Sequence, residues 1–111
     1  MEFNIIASVG TSEVDLAPHP NGSPTVPQDR VRKVKLMVLS NTAATSNTLT
    51  LRMYRGGALE KSIDVVLPPS DTKVIGDGGR TVLVVLPGRT LRAVASAASV
   101  HVLMTAEDVV E

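Results

Sequence analysis

RVRKVKLMVLSNTAATSNTLTLRMYR, residues 30–55, holds two runs of period two separated by a small polar break. Successive side chains of an extended chain point to opposite sides. In Arg30 to Ser40 this sends Val34, Leu36 and Val38 one way and Val31, Met37 and Leu39 the other. Apolar on both sides, the second half reads as a central strand, covered on both faces. Asn41 to Asn47 reads as a turn. Thr48 to Arg55 then alternates cleanly, with Leu49, Leu51 and Met53 inward and Thr50, Arg52 and Tyr54 outward. Two such strands in tandem call for a layered β structure.

The same period extends to both sides. Phe3 to Val9 reads as an edge strand with Phe3, Ile5 and Ala7 on one side, and Gly10 closes it. Ala17 to Pro27 holds Pro18, Pro20, Pro24 and Pro27 together with Asn21-Gly22. Each proline lacks the ladder donor and fixes φ, so 17–27 is expected to be a loop. Gly56-Gly57 reverses the chain into Ala58 to Leu67, whose Leu59, Ile63, Val65 and Leu67 share a face that Lys61 interrupts near the sheet margin. Pro68-Pro69 ends that strand. Thr72 to Ile75 reads as a short strand, Asp77-Gly78-Gly79 as a hairpin turn and Thr81 to Leu86 as a buried strand. After Pro87-Gly88, Leu91 to Ser96 and Ser99 to Thr105 form a last pair around Ala97-Ala98, with Val100, Val102 and Met104 on one face. Arg89 to Ala98 also has a helical alternative, weakened by Val94 and its serines. Glu107 to Glu111 reads as an acidic tail, with an added strand as the alternative.

Seven to eight strands at spacings of about ten residues are expected. The fold class is all-β: a single-domain antiparallel β-sandwich or jelly roll over residues 1–111. That length suits one core, and 43% hydrophobic residues against 20% charged ones suit a folded chain. There is no cysteine, which excludes disulfides, thiolate zinc and thiol nucleophiles. Eleven basic and eleven acidic residues give no general pull toward nucleic acid or an anionic membrane. With no apolar run of membrane-spanning length and no basic start to Met1–Gly10, the expectation is a cytosolic product. Asn21-Gly22-Ser23 has the form of a glycosylation acceptor, but Pro24 follows it and a turn is the better reading.

Reaction chemistry is sparse, and the chain is not expected to be an enzyme. His19 lies between prolines and His101 in the last long strand, a spacing that suits no metal site. Glu13 and Asp15 share one strand face with no carboxylate placed opposite, so a solvated edge explains them better than a hydrolase pair. The glycines lack the spacing and helix start of a phosphate cradle, and no serine sits in a nucleophile elbow. No cofactor and no metal are expected. One Tyr, one Phe and no Trp leave little to stack bases or sugars upon. A basic group remains: alternation sends Arg30 and Arg32 to one face, Lys33 and Lys35 to the other. The group cannot form one flat patch and reads first as a strand that begins in solvent before entering the core, with docking as the functional alternative. Its residues are the candidates for docking on an acidic protein surface, together with Pro18, His19, Pro20 and Pro24 of the loop. Deleting Pro18 to Pro24 is expected to spare folding and weaken assembly.

The strand beginning at Val31, the phrase Leu39-Ser40-Asn41-Thr42, the strand Thr48-Leu49-Thr50-Leu51-Arg52 and the segment Leu86-Pro87-Gly88-Arg89-Thr90-Leu91-Arg92-Ala93 resemble small virion proteins of tailed bacteriophages. The likeness covers about residues 26–107, and Arg89 stands where that group more usually has an acidic residue. The resemblance implies a β-sandwich that decorates the capsid or contributes to the neck or tail. It further implies a virion protein made in the host cytoplasm, partnered by the major capsid protein or neighbouring virion subunits. A homo-oligomer, a trimer as first choice, is expected, joined through strand edges and aliphatic surfaces, with neither nucleic acid nor membrane as partner. The alternative is a monomeric adhesion or ligand-binding sandwich that recognises a cell-surface glycan or protein. A third reading, a small hydrolase or isomerase on a jelly roll, would have to use His101 and Asp77.

Overall fold

A computed structural model describes residues 2–19 and 22–110. Among them the chain forms nine strands and no helix: β1 (Glu2–Val9), β2 (Val14–Asp15), β3 (Arg30–Asn41), β4 (Asn47–Arg55), β5 (Ala58–Leu67), β6 (Thr72–Gly76), β7 (Leu83–Val85), β8 (Arg89–Ala95) and β9 (Val100–Val110). They build two antiparallel sheets. One runs β1-β9-β3-β6, with β7 also on β3; the other runs β2-β8-β4-β5. The protein is an all-β sandwich whose core lies between the two layers, filled by Ile5, Leu39 and Met104 from one side and Leu49, Leu51 and Leu67 from the other.

β3 is central, as its composition predicts, flanked by β9 on one side and by β6 and β7 on the other. Its face assignment is corrected by a bulge. The register with β9 slips between Val34 and Leu36, so Lys35 is an extra residue and the alternation changes phase there. Val34 therefore joins Met37 and Leu39 in the core, while Leu36 and Val38 turn outward. A run apolar on both sides carries no phase of its own, which is why sequence alone misplaced Val34. A second slip, between Met53 and Tyr54, sets Lys61 opposite Met53 and Leu59 opposite Tyr54. Leu59 thus leaves the inward face assigned to it and is 53% exposed.

Asp77-Gly78-Gly79 does not close a hairpin. β6 lies against Leu36–Ser40 and β7 against Arg32–Val34, end to end on the same edge of β3. The loop between them returns to the bulge, where Gly78 N donates to Lys35 O at 3.2 Å and Val82 N to Val34 O at 2.8 Å. Thr81 to Leu86 is not a buried strand either: only Val85 is buried, and Val84 and Leu86 are exposed. A short edge strand wets alternate residues whatever their type.

β8 refutes the helical alternative for 89–98, pairing with β4 from Leu49 to Arg55. β8 and β9 lie in different sheets, so Ala97-Ala98 marks a crossing and not a hairpin. Buried Asn47 holds that crossing: Nδ2 donates to Ala97 O at 2.7 Å, and Oδ1 accepts from Ser96 Oγ at 2.9 Å and Ala97 N at 3.1 Å. The tail reading of 107–111 is corrected for its described part. Glu107–Val110 continues β9, paired with Arg30–Lys33, because the alternation of Ala106, Asp108 and Val110 keeps step with β3.

The described residues at 17–19 and 22–27 lie outside the nine strands and form a strap tied to both sheets. Pro18 bridges Ile5, His19 N donates to Asn4 O at 2.8 Å, and Val26 N donates to Arg89 O at 3.0 Å. Leu16 and Val26 at its two ends are fully buried.

Candidate interaction face

The sequence-predicted docking residues do not converge. Pro18 lies on β1, His19 is exposed, Pro24 is half-buried, and Pro20 lies outside the described residues, as does the Asn21 of the glycosylation pattern. Among the described residues Arg30 pairs with Asp29, at 3.8 Å. Arg32 is withdrawn from any surface role: it is 4% exposed, with Nε and Nη2 donating to the two carboxylate oxygens of Asp108 at 2.8 and 3.0 Å and its guanidinium 5.1 Å from the Phe3 ring centre. Its position on the core side of the strand, directly opposite Asp108, makes that so. Lys35, in the bulge, reaches Glu2 at 3.3 Å and Glu107 at 3.7 Å. Lys33 stands on the outer face, with no ion pair to another described residue.

Glu13 and Asp15 belong to a network that spacing alone did not reveal. Glu13 Oε2 accepts from Tyr54 Oη at 2.8 Å and Arg52 Nη1 at 3.0 Å, while Arg92 reaches Glu13 at 3.5 Å and Asp15 at 2.8 Å. Arg92 also stacks on Tyr54, 4.6 Å from its centre. Burial pushes the Glu13 carboxyl up, but the hydrogen bonds from Tyr54 and Arg52 outweigh it and hold the group below its ordinary range. A carboxylate held ionised and fully paired is a poor proton donor, so the cluster braces β2, β4 and β8. His101 hydrogen-bonds Ser8 at 3.3 Å, and no group of metal-ligating side chains exists among the described residues.

What the strand order does assemble is a face. On the outer side of the first sheet Ile6 stands opposite Leu103, Leu103 opposite Val38 and Val38 opposite Val74, one aliphatic rung crossing β1, β9, β3 and β6. Ile6 is 54%, Leu103 39% and Val74 60% exposed. The rung on one side of it is Ser8, His101, Ser40 and Thr72; on the other it is Asn4, Thr105, Leu36 and Gly76. The polar members bond along the sheet, Ser40 with Thr72 at 3.0 Å and Asn4 with Thr105 at 3.3 Å. None of these three rungs carries a formal charge. The next does: Glu2, Glu107, Lys33 and Val84.

No family model, curated protein or solved structure matches the chain.

A second apolar feature lies on the open side of the sandwich, between β5 and β7. It is a cleft of about 360 Å³ walled by Met53, Ile63, Leu83, Val85 and Leu91, with Lys61 at its margin. The sequence placed Lys61 at a sheet margin correctly. The rung escaped it, because four residues from four distant strands become neighbours only once strand order and the bulge of β3 are fixed.

Proposed function

We propose that the chain is a structural subunit of a larger protein assembly, a capsid-decorating or head-to-tail component of a tailed-phage virion. The observation that carries this reading is the outer face of the first sheet, where an exposed aliphatic rung lies between two rungs without formal charge. Exposed apolar patches of this kind mark protein contacts. Fully covering a Val, Leu or Ile side chain is worth about 1.5–3 kcal/mol. The rung, roughly half exposed, therefore offers on the order of 1 kcal/mol per residue, a weak single contact that becomes strong when repeated many times on one particle. The virion assignment draws on the resemblance of residues 26–107; the face supports assembly in general.

Mass spectrometry of purified particles tests the proposal. The chain should be present in mature virions at a copy number tied to the particle's symmetry, and absence from them would overturn it. A monomeric glycan-binding module is less well supported, since the open cleft is walled by aliphatic side chains and offers no aromatic ring for a sugar.

A further inference from the structure

We infer that the outer face of the β1-β9-β3-β6 sheet packs against the same face of a second copy, about a twofold axis that runs parallel to the strands between β9 and β3. The inference rests on the assembly reading and names its partner. Such an axis lays β9 of one copy over β3 of the other and β1 over β6. The arrangement follows from how the four rungs are composed. In the aliphatic rung the β1–β9 half supplies the larger side chains, Ile6 and Leu103, and the β3–β6 half the smaller, Val38 and Val74. The half-turn sets large on small at every position, Leu103 on the second copy's Val38 and Ile6 on its Val74.

The charged rung obeys the same operator. Glu107 on β9, already reached by Lys35 of its own copy at 3.7 Å, and Lys33 on β3 stand side by side in each copy. The half-turn brings each Lys33 over the second copy's Glu107, so that opposite charges meet twice. An axis along the rungs would instead carry these charges over the far, neutral end of the other face. The neutral rungs have already bonded Asn4 to Thr105 and Ser40 to Thr72, so covering them strands few polar groups. Two sheets packed face to face with nearly aligned strands is a standard arrangement, with about 10 Å between layers.

The size of the face sets the strength. Four strands about 4.8 Å apart and eight residues long give a footprint of roughly 500 Å². A self-sufficient interface needs about 800 Å² per partner, so the pair is weak and populates at roughly 10 μM to 1 mM or when neighbours hold it in place.

Sedimentation equilibrium of the full chain from low micromolar to near-millimolar concentration reads the association. The average mass should rise toward twice that of the chain, and Leu103→Glu, at an exposed position, should keep the mass monomeric with an unchanged circular dichroism spectrum. Lys33→Glu should weaken association about threefold to tenfold through its two symmetry-related pairs, and Lys33→Glu with Glu107→Lys should restore it. The absence of native cysteine allows a direct check of register: a short bis-maleimide should join an equimolar mixture of Val38→Cys and Leu103→Cys chains more readily than either alone. A chain that stays monomeric throughout, or cross-linking without preference for the mixed pair, overturns the inference. If the chain is monomeric yet Leu103→Glu is lost from particles, the face binds a different protein; the second-copy inference then fails while the assembly reading stands. Concentration-dependent pairing of a chain absent from virions gives the reverse result.

Discussion

Asp108→Ala removes the one carboxylate that faces the buried guanidinium of Arg32. Arg32 keeps a 3.4 Å contact from Nη1 to the Ser23 carbonyl and its place over the Phe3 ring, but loses both short hydrogen bonds from Nε and Nη2. Breaking a buried ion pair from one side costs about 3–5 kcal/mol, because the remaining charge stays desolvated. The Asp108 side chain is 23% exposed, so water can partly replace it, which lowers the expectation to roughly 2–4 kcal/mol. For a chain of this size that is a fall in Tm of about 8–16 °C. Arg32→Met with Asp108→Leu removes both charges and fills the space, and it should return stability to within about 1 kcal/mol of the parent.

Urea denaturation at neutral pH, on the parent, Asp108→Ala, Arg32→Met, Asp108→Leu and the double, gives both the loss and, from the last three with the parent, the coupling energy. Repeating it at 1 M salt should change the result little, since a pair this buried is poorly screened. A loss under about 0.5 kcal/mol for Asp108→Ala would refute the reasoning, as would a double variant no more stable than the single. The first result would mean that Glu107–Val110 contributes little to the sandwich; the second, that the cost lies in packing and not in the stranded charge.

Gly76→Ala should cost more than about 2 kcal/mol, since Gly76 has φ +90° and a Cβ there would run into the Lys35 carbonyl and come within 2.9 Å of Val82 Cγ1; Gly57→Ala, with open space around it, should be within about 0.5 kcal/mol. Asn47→Ala should lose roughly 2–3 kcal/mol in the same denaturation assay, because the backbone of Ala97 loses the partner that holds it at the sheet crossing. Glu13 has a carboxyl lowered below its ordinary 4.5 in the folded state, so its contribution is present above that value and is lost as pH falls below it. Glu13→Gln should therefore make stability less dependent on pH in the acid range, and an unchanged pH profile would show the network to be idle.

The strands themselves were legible in the sequence because period two is a local property: Leu49, Leu51, Val100, Val102 and Met104 face inward as their spacing demands. What was lost lies in single-residue insertions and in pairing. Lys35 shifts the phase of β3 by one residue, and nothing in Val-Lys-Leu-Met-Val-Leu distinguishes a bulged strand from a regular one. Asp77-Gly78-Gly79 has the residues of a hairpin turn, yet the strands on either side both prefer β3. The basic group at 30–35 read as a surface cluster because the sequence does not show that Asp108 lies opposite Arg32. Of the proposed docking residues, only Lys33 and Lys35 reach the face that the strand order assembles, Lys35 through Glu2 and Glu107. The aliphatic rung of that face was visible only as residues scattered along the chain at positions 6, 38, 74 and 103.

The edges of the sandwich bear on the proposed association through a face. An exposed strand edge recruits other strands, and stable proteins shorten, cover or charge such edges. Every edge here is treated in one of these ways. β1 is overlaid by the strap through the Ile5–Pro18 bridge and the His19–Asn4 hydrogen bond. β2 is two residues long. The edge formed by β6 and β7 is split by the loop that returns to Lys35 and carries Lys73 in the open. β5 bears a bulge at Glu60, turns Lys61 toward the cleft and ends at Pro68-Pro69. Pairing through strand edges, one of the two routes expected from the sequence, is thus opposed at each margin. The outer face of the first sheet has no such guard: its three neutral rungs carry no lysine, no proline and no bulge residue at their centre. On the proposed assembly reading, a chain that blocks its edges and leaves an aliphatic rung in the open meets its neighbours sheet against sheet.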